Sequence, residues 1–182
     1  LEKRFVYHQK VIDAHQLSYT IKKSEPTHFE LSGLAGFVQP ADVGDEKPQK
    51  TPTAYDVKVP ERWDWREHGA GIPPIRSQGS CGSCWAFGTV AVVEAAVAIS
   101  DNQLVDLSEQ FVLDCSGKGS CGGGYWAYNA FIKKGGAWEK DYPYKAYDQS
   151  CKAVADHPYT IESYHGIQSG DIDAMKVAIL QY

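Results

Sequence analysis

The chemistry in this sequence gathers in one stretch, Ser77-Gln78-Gly79-Ser80-Cys81-Gly82-Ser83-Cys84-Trp85-Ala86-Phe87. Directly after it, from about Ala86 to Ile99, runs an apolar segment of Ala, Val, Phe and Ile broken only by Gly88, Thr89 and Glu94. That length suits an average helix and falls short of a bilayer span. Glu94 is its single charge, so the pattern predicts a helix buried on nearly all sides. Cys84 then stands at or beside the helix N-terminus, where unpaired N–H groups and the positive end of the dipole favour a thiolate over a thiol. Gly82 and Ser83 are small and leave the approach to the sulfur open. These are the properties of a nucleophile. A structural cysteine is the commoner fate of an isolated Cys, but packing requires neither a glycine-rich approach nor a glutamine six residues earlier.

Five cysteines, Cys81, Cys84, Cys115, Cys121 and Cys151, are an odd number. Two disulfides and one free thiol account for them, which suits a secretory or lysosomal-type compartment. The count does not assign the pairs. A zinc site built on Cys81-x2-Cys84 and Cys115-x5-Cys121 is a weaker rival. So is a thioredoxin-like pair at Cys81-Gly-Ser-Cys84, which needs a βαβ context that the preceding Pro73-Pro74 loop does not provide. At 182 residues, 43% hydrophobic and 12% aromatic, the chain is one domain or a domain with a tail, and can pack a core. A net charge of −5 argues against a nucleic-acid partner and gives no membrane-surface signal. No apolar run reaches 18 residues, so no membrane span is expected. No signal-peptide pattern is visible, so on a secreted reading the signal has been removed.

Gln78 through Phe87 closely resembles the active-site segment of the papain-like, cathepsin-type cysteine peptidases. The resemblance implies that Cys84 attacks a peptide carbonyl and that the Gln78 side-chain amide donates to the oxyanion. It implies disulfides Cys81–Cys121 and Cys115–Cys151, which leaves Cys84 free. Gly82, Ser83 and Trp85 would then flank the substrate, and no metal or cofactor is implied. The run Ser120-Cys121-Gly122-Gly123-Gly124-Tyr125-Trp126 costs chain entropy and needs a reason. A closely approaching ligand is favoured over a tight turn beside a disulfide. By the same resemblance, Gly124 pairs its backbone with the substrate residue two before the scissile bond, and Gly123 lines the next pocket outward. Tyr125 and Trp126 form part of the pocket for that second residue. The family often has Asn where Gly122 stands and Pro where Trp126 stands, so the preference of that pocket departs from the common pattern.

Other segments must position these residues. Leu1-Glu2-Lys3-Arg4 resembles the processing site of a yeast secretion leader, or is an ordinary charged start. Phe5-x2-His8-x3-Ile12-x3-Gln16 reads as one helix face that faintly resembles the family's pro-segment motif. Leu17-Ser-Tyr-Thr-Ile21 alternates like a strand, and His28-Phe29-Glu30-Leu31 reads as a short helix or strand. Residues 39–58 carry breakers and charges and read as a linker, the arm that in this family runs through the cleft and blocks it, usually in reverse to substrate. Near Val59 the composition changes, and Pro60-x3-Asp64-Trp65-Arg66 resembles the family's mature N-terminus. Leu107–Cys115 reads as a helix capped by Ser108. Tyr125–Lys134 reads as a helix stopped by Gly135-Gly136, and Glu139–Ala146 as a loop whose aromatics pack. Asp171 to about Gln181 reads as a last helix with Ile172, Met175 and Ile179 on its inner face.

A thiol peptidase needs a histidine base, oriented by an asparagine. In papain-like enzymes these lie about 130–150 residues beyond the nucleophile, further than Tyr182. His157 and His165 do not match that context and read as surface or loop histidines. The expected fold is therefore α+β and papain-like. Residues 1–38 form a pro-segment, 39–58 a linker, and 59–182 the mostly helical N-terminal half, with the β-rich half missing. The expected function is a secreted, lysosomal or vesicular cysteine endopeptidase acting on polypeptides and inhibited by its own pro-segment. A second chain would supply the His and Asn. The alternative is a truncated or non-catalytic papain-like peptide-binding module.

Overall fold

The computed structural model describes residues 2–22, 36–38, 49–50 and 57–181. His28–Leu31 and most of the expected linker lie outside the described residues. The first helix, α1, is Glu2–Ala14, with Ile12 its buried contact. It ends where Gln16 takes a positive φ of 52°. The strand expected over Leu17–Ile21 does not form; those residues are irregular and mostly exposed, and among the described residues no strand pairs with them. A two-residue strand β1, Gln49–Lys50, instead pairs in parallel with His165–Gly166 far downstream.

A 3-10 turn over Trp65–His68 opens the next segment. The Asp64 side chain accepts from the Arg66 N–H, and Gly69 closes the turn at φ 92°. The Trp65 indole donates to the Ile179 carbonyl oxygen at 2.7 Å, which ties this turn to the last helix.

The central helix α2, Cys84–Asp101, starts and ends two residues beyond the expected span. At 18 residues, with a mean hydropathy of 1.4, it is long and apolar enough to cross a membrane by length and composition alone, a test that a core helix also passes. Its inner side is core: Trp85, Ala86, Thr89, Val90, Val93, Glu94, Val97 and Ala98 are buried. It is not buried all round, however. Ala91, Val92, Ala95 and Ala96 face outward, because small apolar side chains hide the helix's two-sidedness from a reading of hydrophobicity. Across the core lies α3, Glu109–Cys115, whose N-cap Ser108 hydroxyl accepts from the Phe111 N–H. Val105, Leu107, Val112, Leu113, Ala127 and Phe131 complete the main cluster.

A short antiparallel pair follows: β2, Gly119–Ser120, against β3, Gly123–Gly124. Helix α4 is Tyr128–Lys133, three residues shorter at its start than the pattern suggests. The reason is local pairing. The Tyr125 N–H is held by the Lys118 carbonyl, and the Ala127 N–H is held by the Thr89 hydroxyl, so the helix begins only after both. Strand β4, His165–Gly166, precedes the last helix α5, Ile172–Gln181. Its expected inner face is wrong. Ile172, Met175 and Ile179 are 56%, 39% and 54% exposed, and Val177 is the buried residue. A 3.6-residue period identifies a stripe but not which neighbour is there to cover it.

Candidate active site

Cys84 is the first residue of α2, half-buried, with Ser83 fully buried before it. The loop leading to the sulfur is closed by short-range bonds. The Cys81 N–H donates to the Gln78 carbonyl at 3.4 Å, and the Gln78 side-chain amide donates back to the Cys81 carbonyl at 2.8 Å. Gln78 and Cys84 therefore flank one tight turn.

That turn is clamped to the glycine run. Cys81 is disulfide-bonded to Cys121, and the Gly82 N–H donates to the Cys121 carbonyl at 2.9 Å. A second disulfide joins Cys115 to Cys151, and Cys84 is the free thiol. With its sulfur bonded to Cys121, Cys81 is not available to the zinc or thioredoxin-like pairings. The Trp85 indole donates to the Ser120 carbonyl at 3.2 Å, and its ring lies flat beneath Gly124. A Cβ at Gly124 would fall 2.5 Å from the Trp85 ring, so this position takes glycine for close approach. Gly123 sits at φ 126°, where other residues are strained. Gly122 has no comparable constraint, since a Cβ there would meet only the Ser120 hydroxyl at 3.3 Å.

Across this ledge runs the segment Gly36-Phe37-Val38. Its Gly36 N–H points at the Cys84 Sγ, 3.3 Å away. The Gly124 N–H donates to the Gly36 carbonyl and the Val38 N–H donates to the Gly124 carbonyl, both at 2.7 Å. These bonds make a parallel bridge between Phe37 and Gly124. The Phe37 ring lies 4.7 Å from that of Trp126 and 5.4 Å from that of Tyr125. Upstream chain thus occupies the backbone ledge, the aromatic side and the sulfur together. This contact comes from residues 36–38, just before the linker expected to make it.

Behind the loop lies a charge cluster, with Glu94 and Glu109 buried and Arg76 half-buried, that the sequence reading did not assemble. The Arg76 guanidinium contacts Glu109 at 2.8 Å, Glu94 at 3.1 Å and Asp106 at 2.7 Å. Burial works against the Arg76 charge, but the Glu109 hydrogen bond and the three carboxylates outweigh it and hold its pKa above the ordinary range. Burial raises Glu94 and Glu109, and Arg76 only partly offsets it. Glu94 also accepts from the Leu107 N–H at 2.8 Å, joining the two core helices. A lone Glu in an otherwise apolar helix was the available signal for this cluster. Nearby, burial pushes Glu139 up to about 7. Its Oε1 accepts from the Tyr144 N–H at 2.7 Å, and its Oε2 is buried without a partner. Tyr144 in turn lies 2.6 Å from the Ser83 hydroxyl. Of the two downstream histidines, His157 Nδ1 lies 3.2 Å from the Gly136 carbonyl, and His165 belongs to β4.

The profile described as "Papain family cysteine protease" matches residues 59–182. The chain belongs to the papain family. Among curated papain-family relatives it is 41% identical over 139 residues to Germination-specific cysteine protease 1 of Arabidopsis thaliana, covering 72% of this chain and 37% of that protein. It is 40% identical over 144 residues to a cathepsin L-like peptidase of Aedes aegypti, covering 74% and 41%. Among solved structures, it matches a recombinant stem bromelain precursor with a TM-score of 0.72 and 31% identity, over 88% of this chain and 54% of that one. Digestive procathepsin L 3 of Tenebrio molitor larval midgut shares the fold with a TM-score of 0.79 at 23% identity, over 98% and 60%. The fold is therefore papain-like, with mixed helix and strand. The chain spans well under two thirds of the length of these curated relatives.

Proposed function

We propose that this chain is the N-terminal part of a cysteine endopeptidase that hydrolyses polypeptides. The observation that carries it is the Cys84 sulfur at the start of α2, facing a backbone ledge already occupied by peptide: Gly36 on the sulfur at 3.3 Å and on Gly124 at 2.7 Å. Cys84 acts as a thiolate and attacks the scissile carbonyl carbon. The Gln78 amide and the Cys84 N–H hold the resulting oxyanion. A histidine, oriented by an asparagine, gives its proton to the leaving amine, and the acyl-enzyme thioester is hydrolysed by water. Gly82, Gly123, Gly124, Tyr125 and Trp126 line the substrate path, and Ser83 and Trp85, both fully buried, support it from behind.

The His and Asn come from a second polypeptide carrying the β-rich half. The outward apolar face of α2 supports this. A groove of about 480 Å³ runs between Phe87, Ala91, Ala95 and Ile99 and the segment containing Ile72 and Ile75, both exposed. Monomers rarely leave such a face to water. Residues 1–38 act as an inhibitory pro-segment joined by 39–58 to a mature half starting at 59. The parallel bridge at Gly124 supports passage opposite to substrate, which would pair there antiparallel. Two disulfides suit a secreted or lysosomal setting.

A peptidyl epoxysuccinate tests the reading. After removal of residues 1–58 it should label Cys84 near neutral pH far faster than it labels free cysteine, and denaturing intact-mass analysis of the reactive material should show a second polypeptide. Labelling no faster than free cysteine would sink the peptidase reading and leave a peptide-binding module.

A further inference from the structure

Glu139 is tied down on two sides. Its N–H donates to the Asp106 carbonyl at 2.9 Å, beside the bridge that pairs Trp138 with Leu107, so its backbone is fixed to the connection between α2 and α3. Its Oε1 accepts from the Tyr144 N–H at 2.7 Å. Its Oε2 is buried and, among the described residues, has no hydrogen-bond partner. A neutral carboxyl tolerates that place better than a charged one, because a buried charge needs a partner. The surroundings offer little compensation. Glu109 from α3 and Asp106 from the connection before it face the carboxyl with like charge. Arg76, from the loop before α2, is the cation that acts on it, and that guanidinium is already held by Glu94, Glu109 and Asp106. Lys140, on the same loop as Glu139, lies over the Trp138 ring, 5.8 Å from its centre.

From Tyr144 the contacts run on to the nucleophile. The Tyr144 hydroxyl donates to the Gln78 carbonyl at 2.9 Å and lies 2.6 Å from the Ser83 hydroxyl. Burial raises the phenol above its ordinary range, so it keeps the proton that it donates. Gln78 is the oxyanion donor of the proposed function, and Ser83 directly precedes Cys84. Tyr144 is therefore held at its backbone by Glu139 and holds the active-site turn with its side chain. A charge on the Glu139 carboxyl is relieved by turning out to water, since the residue as a whole is only half-buried. The Tyr144 N–H then loses its acceptor, and the slack passes through the phenol to the turn.

Resting on that reading of the site, we propose that Glu139 is a positioning residue for the nucleophile, acting through Tyr144. With its carboxyl neutral it fixes the Tyr144 backbone, and with it the turn that carries Gln78 and leads to Cys84; ionisation releases both. Burial raises the carboxyl to about 7, which sets where the release occurs.

Amide hydrogen exchange in the full chain reads this link directly. Exchange over residues 77–84 is compared between the parent and Glu139→Gln at one pH at a time, so that base catalysis of exchange cancels. Glutamine keeps an acceptor for the Tyr144 N–H and cannot ionise. The two proteins should exchange alike at pH 5.5. At pH 8 the parent should exchange about two- to tenfold faster, the range of one lost hydrogen bond. That excess should vanish in a Tyr144→Phe background. Residues 90–98 of α2 are the control, because a global loss of stability would speed them equally. The idea is overturned if parent and variant exchange alike at pH 8, if the excess survives Tyr144→Phe, or if residues 90–98 share it. After removal of residues 1–58, epoxysuccinate labelling of Cys84 should be slower in the parent than in Glu139→Gln at pH 8 and matched at pH 5.5. Labelling matched at both pH values would overturn the positioning of the nucleophile. Hydrogen exchange requires no peptidase chemistry. Labelling of both proteins no faster than free cysteine, with the exchange difference intact, would therefore remove the peptidase reading and keep the coupling of Glu139 to the turn.

Discussion

The Tyr144 hydroxyl donates to the backbone carbonyl of Gln78 at 2.9 Å, across 66 residues of sequence. Because its proton is committed there, the Ser83 hydroxyl is the donor in the 2.6 Å contact with the same oxygen. One phenol thereby holds the two ends of the turn that carries Gln78 and leads to Cys84. Its ring stays in place edge-on to Phe87, with centroids 4.9 Å apart.

Tyr144→Phe keeps that ring contact and removes only the hydroxyl. Two hydrogen bonds are lost, each worth about 0.5–1.5 kcal/mol net. Urea unfolding should show a loss of about 1–3 kcal/mol, and epoxysuccinate labelling of Cys84 should slow. Unchanged labelling with reduced stability would make Tyr144 a packing residue and nothing more.

Stability should fall as pH rises from 4.5 to about 7, because Glu139 is raised from its ordinary 4.5 to about 7, chiefly by burial. The folded protein binds more protons than the unfolded chain in that window, so the contribution is fully present below 4.5 and is lost as pH passes the folded value. Glu94 and Glu109 are raised in the same direction by burial and add to the slope. Asp64 is lowered to about 2 by its bonds to Arg66, so its contribution is lost only on further acidification and does not enter this window. Glu139→Gln keeps an acceptor for the Tyr144 N–H and should flatten the dependence of the thermal midpoint between pH 5 and 7.5. An equally steep slope in that variant would rule Glu139 out as a source.

Arg76→Met removes the only cation that the structure places on Glu94 and Glu109 among the described residues. Two carboxylates are then left uncompensated, a loss of about 3–5 kcal/mol at pH 7. The loss should be smaller at pH 5 than at pH 7, because burial raises both groups and protonation removes the uncompensated charge. Denaturant titrations at the two pH values check this, and a pH-independent loss would contradict it.

Gly36→Ala should free the nucleophile. A Cβ there would overlap the Gly82 carbonyl, so the segment must lift from Cys84 and release both bonds to Gly124. At about 0.5–1.5 kcal/mol each, their loss corresponds to roughly 5- to 150-fold faster iodoacetamide alkylation of Cys84 in the full chain. An unaltered rate would mean that this crossing does not shield the sulfur in solution.

The helix starting at Cys84, the Ser108 cap and the free thiol beside two disulfides can be read from residue order alone. Each rests on chain-local chemistry: small residues before an apolar run, a hydroxyl three residues before the N–H it accepts from, an odd cysteine count. The linear pattern was silent or misleading wherever the answer depends on what lies across space. It assigned Ile172, Met175 and Ile179 to an inner face, although burial belongs to Val177. It made α2 buried on nearly all sides, because Ala91 and Ala95 look like core until, among the described residues, no neighbour covers them. It offered reasons for the glycine run but not its floor, which is the Trp85 ring beneath Gly124. Residues 36–38 meeting Cys84, and Arg76 drawing Glu94, Glu109 and Asp106 together, are decided only by tertiary structure. Hydrogen bonds and charge pairs act over a few ångströms, and only the folded chain brings residues so distant in sequence within that reach.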